Sequence, residues 1–455
     1  MTETLPYAPA PTSPVLAGVP ALQPTRLRLE DLHGSLADPV LGSMTLLNEI
    51  AGRYPEAVSF AAGRPYEDFY DLGQLHDHLA RFTRHLEEDL GHTPEQSRTA
   101  LFQYGHTKGL LTDLLVRYLA VDEGIAADPD AVVVTTGCQE AMILLLRALR
   151  TDERDVVLAP APTYVGFLGA ARLMEMPVRP VREGTGGMDV DDLVTQIREV
   201  RAEGLRPRAC YVVPDFANPS GLSMSVADRQ RLLEVAAAEG VLVIEDNPYS
   251  LFGVGTERPP TLKSLDRHQN VVYIGSFAKT AFPGARVGYI VADQPLDAVT
   301  REGGGLLADQ LAKLKSFLTL NTSTVSQAII GGRLLEHHHS MAAATRREAQ
   351  VYARNLRAVL DSLDHHFPGS RSPVTWNVPG GGMFIVLTLP FEADDAMLEY
   401  SASRFGVLWT PMRHFYAGAA GSNQIRLSFS VLDPERIRLG IARLASLVHT
   451  QITQK

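Results

Sequence analysis

Tyr273–Tyr289 reads YIGSFAKTAFPGARVGY. The apolar run ending at Ile274 has the pattern of a buried strand, and Gly275 and Ser276 end it. Lys279 then stands among small side chains, and Arg286 precedes a second strand-like run, RVGYIVA. On spacing alone, two cations beside a proline and a glycine read as solvent-facing charges at a strand end. The rest of the chain decides whether they are more than that.

Outward from this stretch, short apolar runs alternate with helical ones. GLLTDLLVRYLA predicts a helix, AVVVTTG a strand and CQEAMILLLRALR another helix. DVVLAPAPTY, RPVRE, RACYVVPDF, VLVIEDNPY and NVVYIGSF continue the strands, with helical stretches such as DRQRLLEVAAAEG between several of them. Such alternation predicts an α/β fold built on a large, mostly parallel sheet covered on both faces. Ligands in such sheets gather at the strand ends. Leu307–Ser340 reads as an interrupted helical connection. Beyond it, Val374–Leu389, GVLWTPM and NQIRLSFS read as strands of a smaller α/β domain that closes with the helical LGIARLASLVHTQI. Near the N-terminus, Leu27–Ala51 has helical patterning and AVSFAAGRP reads as a short strand breaking into a glycine turn.

Four of the strand ends carry polar residues. Thr135-Thr136-Gly137-Cys138-Gln139 precedes a helix, so the amides of Gly137–Gln139 face an anion or serve as an ordinary cap. Asn218 precedes Pro219 in VVPDFANPSG, which an Asx-Pro turn also explains. Asp246 ends an apolar run in VIEDNPYS, where a buried carboxylate is costly without a cation to meet it, and Tyr249 follows. Lys279 and Arg286 stand at the fourth.

Composition narrows the function. The 455 residues are 45% hydrophobic, enough for a large core, and the net charge of −10 with no long basic run argues against a nucleic-acid surface. Cys138 and Cys210 are the only cysteines, which excludes a disulfide scaffold and a four-cysteine zinc site. A reducing, cytoplasmic setting fits, and no stretch reads as a secretory signal or a membrane span. His337–His339 diverge on a helix and no nearby cluster of acids or cysteines completes a metal site, so no metal is expected. No P-loop or dinucleotide fingerprint occurs in a strand-to-helix context.

Taken together, S-F-A-K-T-x-x-P-G-x-R-x-G-Y with NPSG and EDNPY resembles the fold-type I pyridoxal-phosphate enzymes, in particular the class I/II aminotransferases, from about Ala57 to the C-terminus. The resemblance implies that Lys279 is joined covalently to pyridoxal 5'-phosphate and later moves the substrate proton. It further implies that Asp246 pairs with the ring nitrogen, that Asn218 and Tyr249 hold the phenolic oxygen, and that Tyr164 stacks on the ring. The phosphate then lies against Gly137, Cys138 and Gln139, with Ser276 and Arg286 as further donors. Ala278 stands where many relatives have serine. Tyr104, in QYGHTKG, is similar to the tyrosine that reaches the neighbouring subunit's phosphate, implying a homodimer.

By the same resemblance Arg426, in NQIRLSFS, clamps the substrate α-carboxylate. Arg64 either reads the substrate side chain or forms a structural salt bridge, and Tyr66, Phe69 and Tyr70 either form an apolar wall near it or pack against the small domain. Gly381-Gly382 is expected to permit a tight approach to the cleft. The expected organisation is a flexible arm over 1–24, a segment over 25–74 contributing to the small domain and cleft, a large cofactor domain over 75–330 and a small C-terminal domain over 331–455. The implied reaction exchanges an amino group between an amino acid and a 2-oxo acid by a ping-pong route, with aromatic, phenylglycine-like or aminoadipate/glutamate substrates. Elimination, decarboxylation or oxidation with the same cofactor stays open at this point, as does a cofactor-sensing regulator.

Overall fold

The computed structural model describes residues 26–38, 41–42, 49–255, 258–297, 305–369 and 372–453. The arm expected over 1–24 lies outside them. The chain divides into two compact units, residues 1–38 and 39–455. In the first, the helical patterning read from Leu27 resolves into two 3-10 turns, Leu29–Asp31 and Gly34–Ala37.

The second unit is organised by one large sheet. Its main strands are β1 (Val132–Thr135), β2 (Asp155–Ala161), β3 (Val178–Gly184), β4 (Arg206–Val212), β5 (Leu242–Asp246), β6 (Val271–Ser276) and β7 (Gly288–Val291). They lie in the order β1-β7-β6-β5-β4-β2-β3, and a two-residue strand, Gly187–Met188, extends the β3 edge. All neighbouring pairs among the first six strands are parallel, whereas β7 runs antiparallel to both β1 and β6. The connection from Ser276 to Gly288 carries only a 3-10 turn, Pro283–Ala285. That is too little chain for a crossover, so the strand returns antiparallel.

Both faces are buried, as the alternation of side chains along a strand allows. Val133, Val157, Ala159, Tyr211, Ile244, Val272, Ile274 and Ile290 pack in one core with helix α1 (Gly137–Leu149), which contributes Ala141, Met142, Leu144 and Leu145. Leu158, Cys210, Val212, Val243 and Val271 face the other way. They pack against Leu193 and Ile197 of helix 190–202 and Leu232, Leu233 and Ala236 of helix 226–238.

After helices α2 (Leu307–Leu318), α3 (Thr324–Glu336) and α4 (Arg346–His366), a second sheet forms. It contains β8 (Thr375–Trp376), β9 (Phe384–Thr388), β10 (Thr410–Pro411) and β11 (Gln424–Ser428) in the order β8-β9-β11-β10, all antiparallel. Helix α5 (Pro434–Thr453) ends the described chain. Val58–Ser59 pairs in parallel with Val407–Leu408, bringing AVSFAAGRP beside this smaller sheet.

The close approach expected of Gly381-Gly382 toward the cleft is made elsewhere. A side chain at Gly381 would strike the Phe252 carbonyl and the Gly253 Cα, and Gly382 has φ +74° beside Phe216. The two glycines therefore allow close packing against Phe252, Gly253 and Phe216, and neither they nor these neighbours line the cleft. Among the described residues, no helix is long and apolar enough to cross a membrane, and no group of three or more His, Cys, Asp or Glu side chains could hold a metal ion.

Candidate active site

A cavity of about 400 Å³ opens at the ends of β5 and β6. Its walls bring together Arg64, Cys138, Gln139, Tyr164, Asn218, Asp246, Tyr249, Ser276, Lys279, Arg286 and Arg426, which are far apart in sequence.

Lys279 follows β6 in a short turn, and its Nζ donates to the Gly63 carbonyl at 2.6 Å. Burial lowers its pKa to about 8, with the Arg426 charge next in effect. Asp246, 3% exposed at the end of β5, accepts at Oδ2 from the Tyr211 hydroxyl at 2.7 Å. Its Oδ1 accepts no hydrogen bond among the described residues. Burial raises this carboxyl to about 6, opposed by the Tyr211 hydroxyl.

Arg426 projects from β11 and is 4% exposed. Its Nη1 donates to Asn218 Oδ1 at 2.7 Å, and its Nη2 donates to the Ala61 carbonyl at 2.7 Å and to Thr410 Oγ1 at 3.2 Å. The guanidinium lies 4.5 Å from the ring centre of Phe384 and 5.0 Å from that of Phe415, so aromatic faces line it. Its Nε has no hydrogen-bond partner among the described residues. Tyr164 accepts from Gln139 Nε2 at 3.2 Å, and burial pushes the buried Tyr249 hydroxyl well up.

Gly137 opens helix α1 with φ +76°. The positive φ favours glycine, and a Cβ there would displace the Arg286 guanidinium that packs against the helix terminus. Gly137 itself stands just behind the lining.

Besides Gly137, two expected residues are not in the lining of this cavity. Tyr66 is absent from the lining, because its amide donates to the Tyr352 hydroxyl at 2.9 Å and its own hydroxyl turns to Asp68 at 2.6 Å. The apolar wall expected around it packs elsewhere: Phe69 sits edge-on to Tyr66 and under Arg347. Tyr104 is 83% exposed and outside the lining. The glycine of AAGRP, Gly63, does border the cleft, as its alignment with the family's turn implies, whereas two partners were missed in the sequence. Tyr211 read as an ordinary buried strand residue, and nothing local marks the Thr410 hydroxyl as belonging to the site.

Residues 70–444 match the family described as Aminotransferase class I and II. The chain is a class I/II aminotransferase. The (S)-3,5-dihydroxyphenylglycine transaminase of Amycolatopsis orientalis is 54% identical over 428 residues, 94% of this chain and 96% of that protein. The 2-aminoadipate transaminase of Thermus thermophilus is 31% identical over 393 residues, 86% of this chain and 89% of that one. The crystal structure of Pyrococcus horikoshii kynurenine aminotransferase in complex with PMP aligns with a TM-score of 0.78 at 27% identity, covering 93% of this chain and 98% of that one.

This aminotransferase depends on pyridoxal phosphate, and its cavity fits that group. A buried carboxylate with one oxygen unengaged suits a protonated ring nitrogen, since buried polar atoms normally have partners. The amides at the start of a 13-residue helix, with Arg286 against them, suit a phosphate.

Proposed function

We propose that this aminotransferase moves the amino group of a hydroxylated arylglycine, whose ring is attached directly to Cα, to and from a 2-oxo acid in two half-reactions. The observation that carries this reading is the 54% identity, sustained over nearly the whole of both chains, to the dihydroxyphenylglycine enzyme.

When bound, pyridoxal phosphate supplies a carbon that carries the amino group and a ring that accepts electrons. The chain's residues do the rest. Lys279, with its amine deprotonated in an appreciable fraction near neutral pH, takes the Cα proton and returns it. Asp246 would keep the ring nitrogen protonated, Asn218 and Tyr249 would hold the phenolic oxygen, and Tyr164 would cover the ring face. Gly137, Cys138, Gln139, Ser276 and Arg286 would hold the phosphate. Arg426, already oriented by Asn218, Ala61 and Thr410, receives the substrate α-carboxylate and aims the Cα–H bond at Lys279. The organisation into a segment 25–74, a large domain 75–330 and a small domain 331–455 is part of this reading.

Arg64 lines the cavity and is exposed, and no ion pair or side-chain hydrogen bond involves its guanidinium among the described residues. It is therefore available to ring hydroxyls, the role proposed here. It would equally suit a distal carboxylate, which keeps 2-aminoadipate or glutamate as the second reading, favoured by the Thermus relative. A donor panel with common 2-oxo acids separates them: 3,5-dihydroxyphenylglycine is expected to exceed 2-aminoadipate in kcat/KM by at least about tenfold. Arg64→Met is expected to cost the hydroxylated arylglycine about tenfold while leaving unsubstituted phenylglycine nearly unchanged. Equal loss for both would remove Arg64 from specificity, and preference for 2-aminoadipate would replace the first reading with the second.

We further propose a homodimer in which Tyr104 reaches the neighbouring copy's phosphate. Phe317, Tyr104 and Phe102 are the most exposed large apolar side chains among the described residues, as an unpaired interface would leave them. Sedimentation is expected to give twice the 49.6 kDa chain mass, and a stable monomer with full activity would refute this.

A further inference from the structure

Glu140 lies in the first turn of α1 and is 6% exposed, yet it does not line the cavity. Its Oε2 accepts the Thr136 amide at 2.6 Å, and its Oε1 accepts from Thr319 Oγ1 at 2.5 Å. Lys315 of α2 has no exposed surface and donates through Nζ to both Glu140 oxygens, at 3.1 and 2.8 Å, and to Thr319 Oγ1 at 2.8 Å. All the charge of this cluster is therefore enclosed directly beneath the turn from Thr136 to Gly137.

A buried ion pair is a poor device for stability, because apolar replacements of equal volume often do as well. Its position suggests another use. By engaging the Thr136 amide, the Glu140 carboxylate satisfies one of the unpaired donors of the helix start and fixes the turn whose next residue, Gly137, has φ +76°. The same carboxylate, left alone, would repel an anion bound at that terminus. Lys315 cancels the charge and leaves the acceptor.

We infer that Glu140 and Lys315 are positioning residues that make the Gly137–Gln139 amides a tight phosphate site, Glu140 by holding the Thr136 amide and Lys315 by neutralising Glu140. The inference rests on the proposed reading that the cofactor's phosphate sits at this helix terminus.

Cofactor-free protein is titrated with pyridoxal phosphate and, separately, with pyridoxal, which lacks the phosphate, following cofactor absorbance. Lys315→Met is expected to weaken pyridoxal phosphate binding by about tenfold through one uncompensated like charge, and to leave pyridoxal binding within about twofold. Glu140→Gln added to Lys315→Met, which keeps an acceptor for Thr136 without the charge, is expected to restore binding to within about threefold of the original. Wild-type affinity in Lys315→Met, equal losses for the two ligands, or no recovery in the double variant would overturn the inference. If Lys315→Met does not fold, Glu140→Gln/Lys315→Met is compared with Glu140→Ala/Lys315→Met: a phosphate-specific advantage of about tenfold for the glutamine variant supports the inference, and equality overturns it. Arg286→Met separates the two levels. If it keeps the preference for pyridoxal phosphate over pyridoxal, the phosphate-site reading itself fails and takes the inference with it; if it loses that preference while Lys315→Met does not, the inference alone fails.

Discussion

Lys279→Ala is expected to reduce transamination by at least about 10⁴-fold with every donor, because the variant loses the only amine that can move the Cα proton among the described residues of the cavity lining. The loss should appear in kcat, with thermal stability little changed or raised, since an alanine no longer has to hold a cationic amine in a buried place. The same side chain predicts a pH profile. Burial lowers its pKa to about 8, so the amine is increasingly protonated below that pH, and only its unprotonated fraction can bond to the aldehyde carbon. Uptake of pyridoxal phosphate by cofactor-free protein, followed by absorbance, should rise about tenfold per pH unit up to about 8 and then level off. A flat profile from pH 6 to 9, or an alanine variant with more than a hundredth of wild-type activity, would contradict this role.

Asp246→Asn is expected to lower kcat by about 10²–10³-fold, the range found when a preorganised electrostatic partner is removed from a reacting group. Asparagine keeps the volume and can still accept from Tyr211, but it lacks the charge that holds a ring nitrogen protonated. The cofactor-free protein gives an independent readout. There the Asp246 carboxyl, raised to about 6, is largely ionised at pH 7 with Oδ1 unengaged, an arrangement that opposes folding. Because its folded pKa lies above the unfolded value, its contribution to stability falls as pH rises from about 4 through 6. The asparagine variant should lose that dependence and melt no lower than wild type at pH 8, while turning over far more slowly. An Asp246→Asn enzyme with near-wild-type turnover would remove the carboxylate from the mechanism.

The fold was legible because its strands are short apolar runs separated by helices, and a sheet buried on both faces demands that pattern. The reversal of β7 was not read, although the short link from Ser276 to Gly288 contains its cause. Residues anchored at strand ends, such as Asp246, Lys279 and Arg286, stood out as charges where apolar sequence stops. Tyr211 did not, since a tyrosine inside a buried strand looks like core until its hydroxyl is seen on Asp246. The Gly63 carbonyl on Lys279 and Thr410 on Arg426 join segments hundreds of residues apart, and no local pattern encodes such pairings. Tyr66 stands outside the lining because an aromatic near Arg64 in sequence need not share its direction, and its amide contact with Tyr352 holds it there.

The central claim is that Lys279 carries the cofactor in the resting enzyme. Borohydride reduction of protein purified with pyridoxal phosphate, followed by proteolysis and mass mapping, tests it without any assay of turnover. The account predicts a phosphopyridoxyl group on the peptide containing Lys279 and on no other. A label at a different lysine, or none on cofactor-loaded protein, would contradict it.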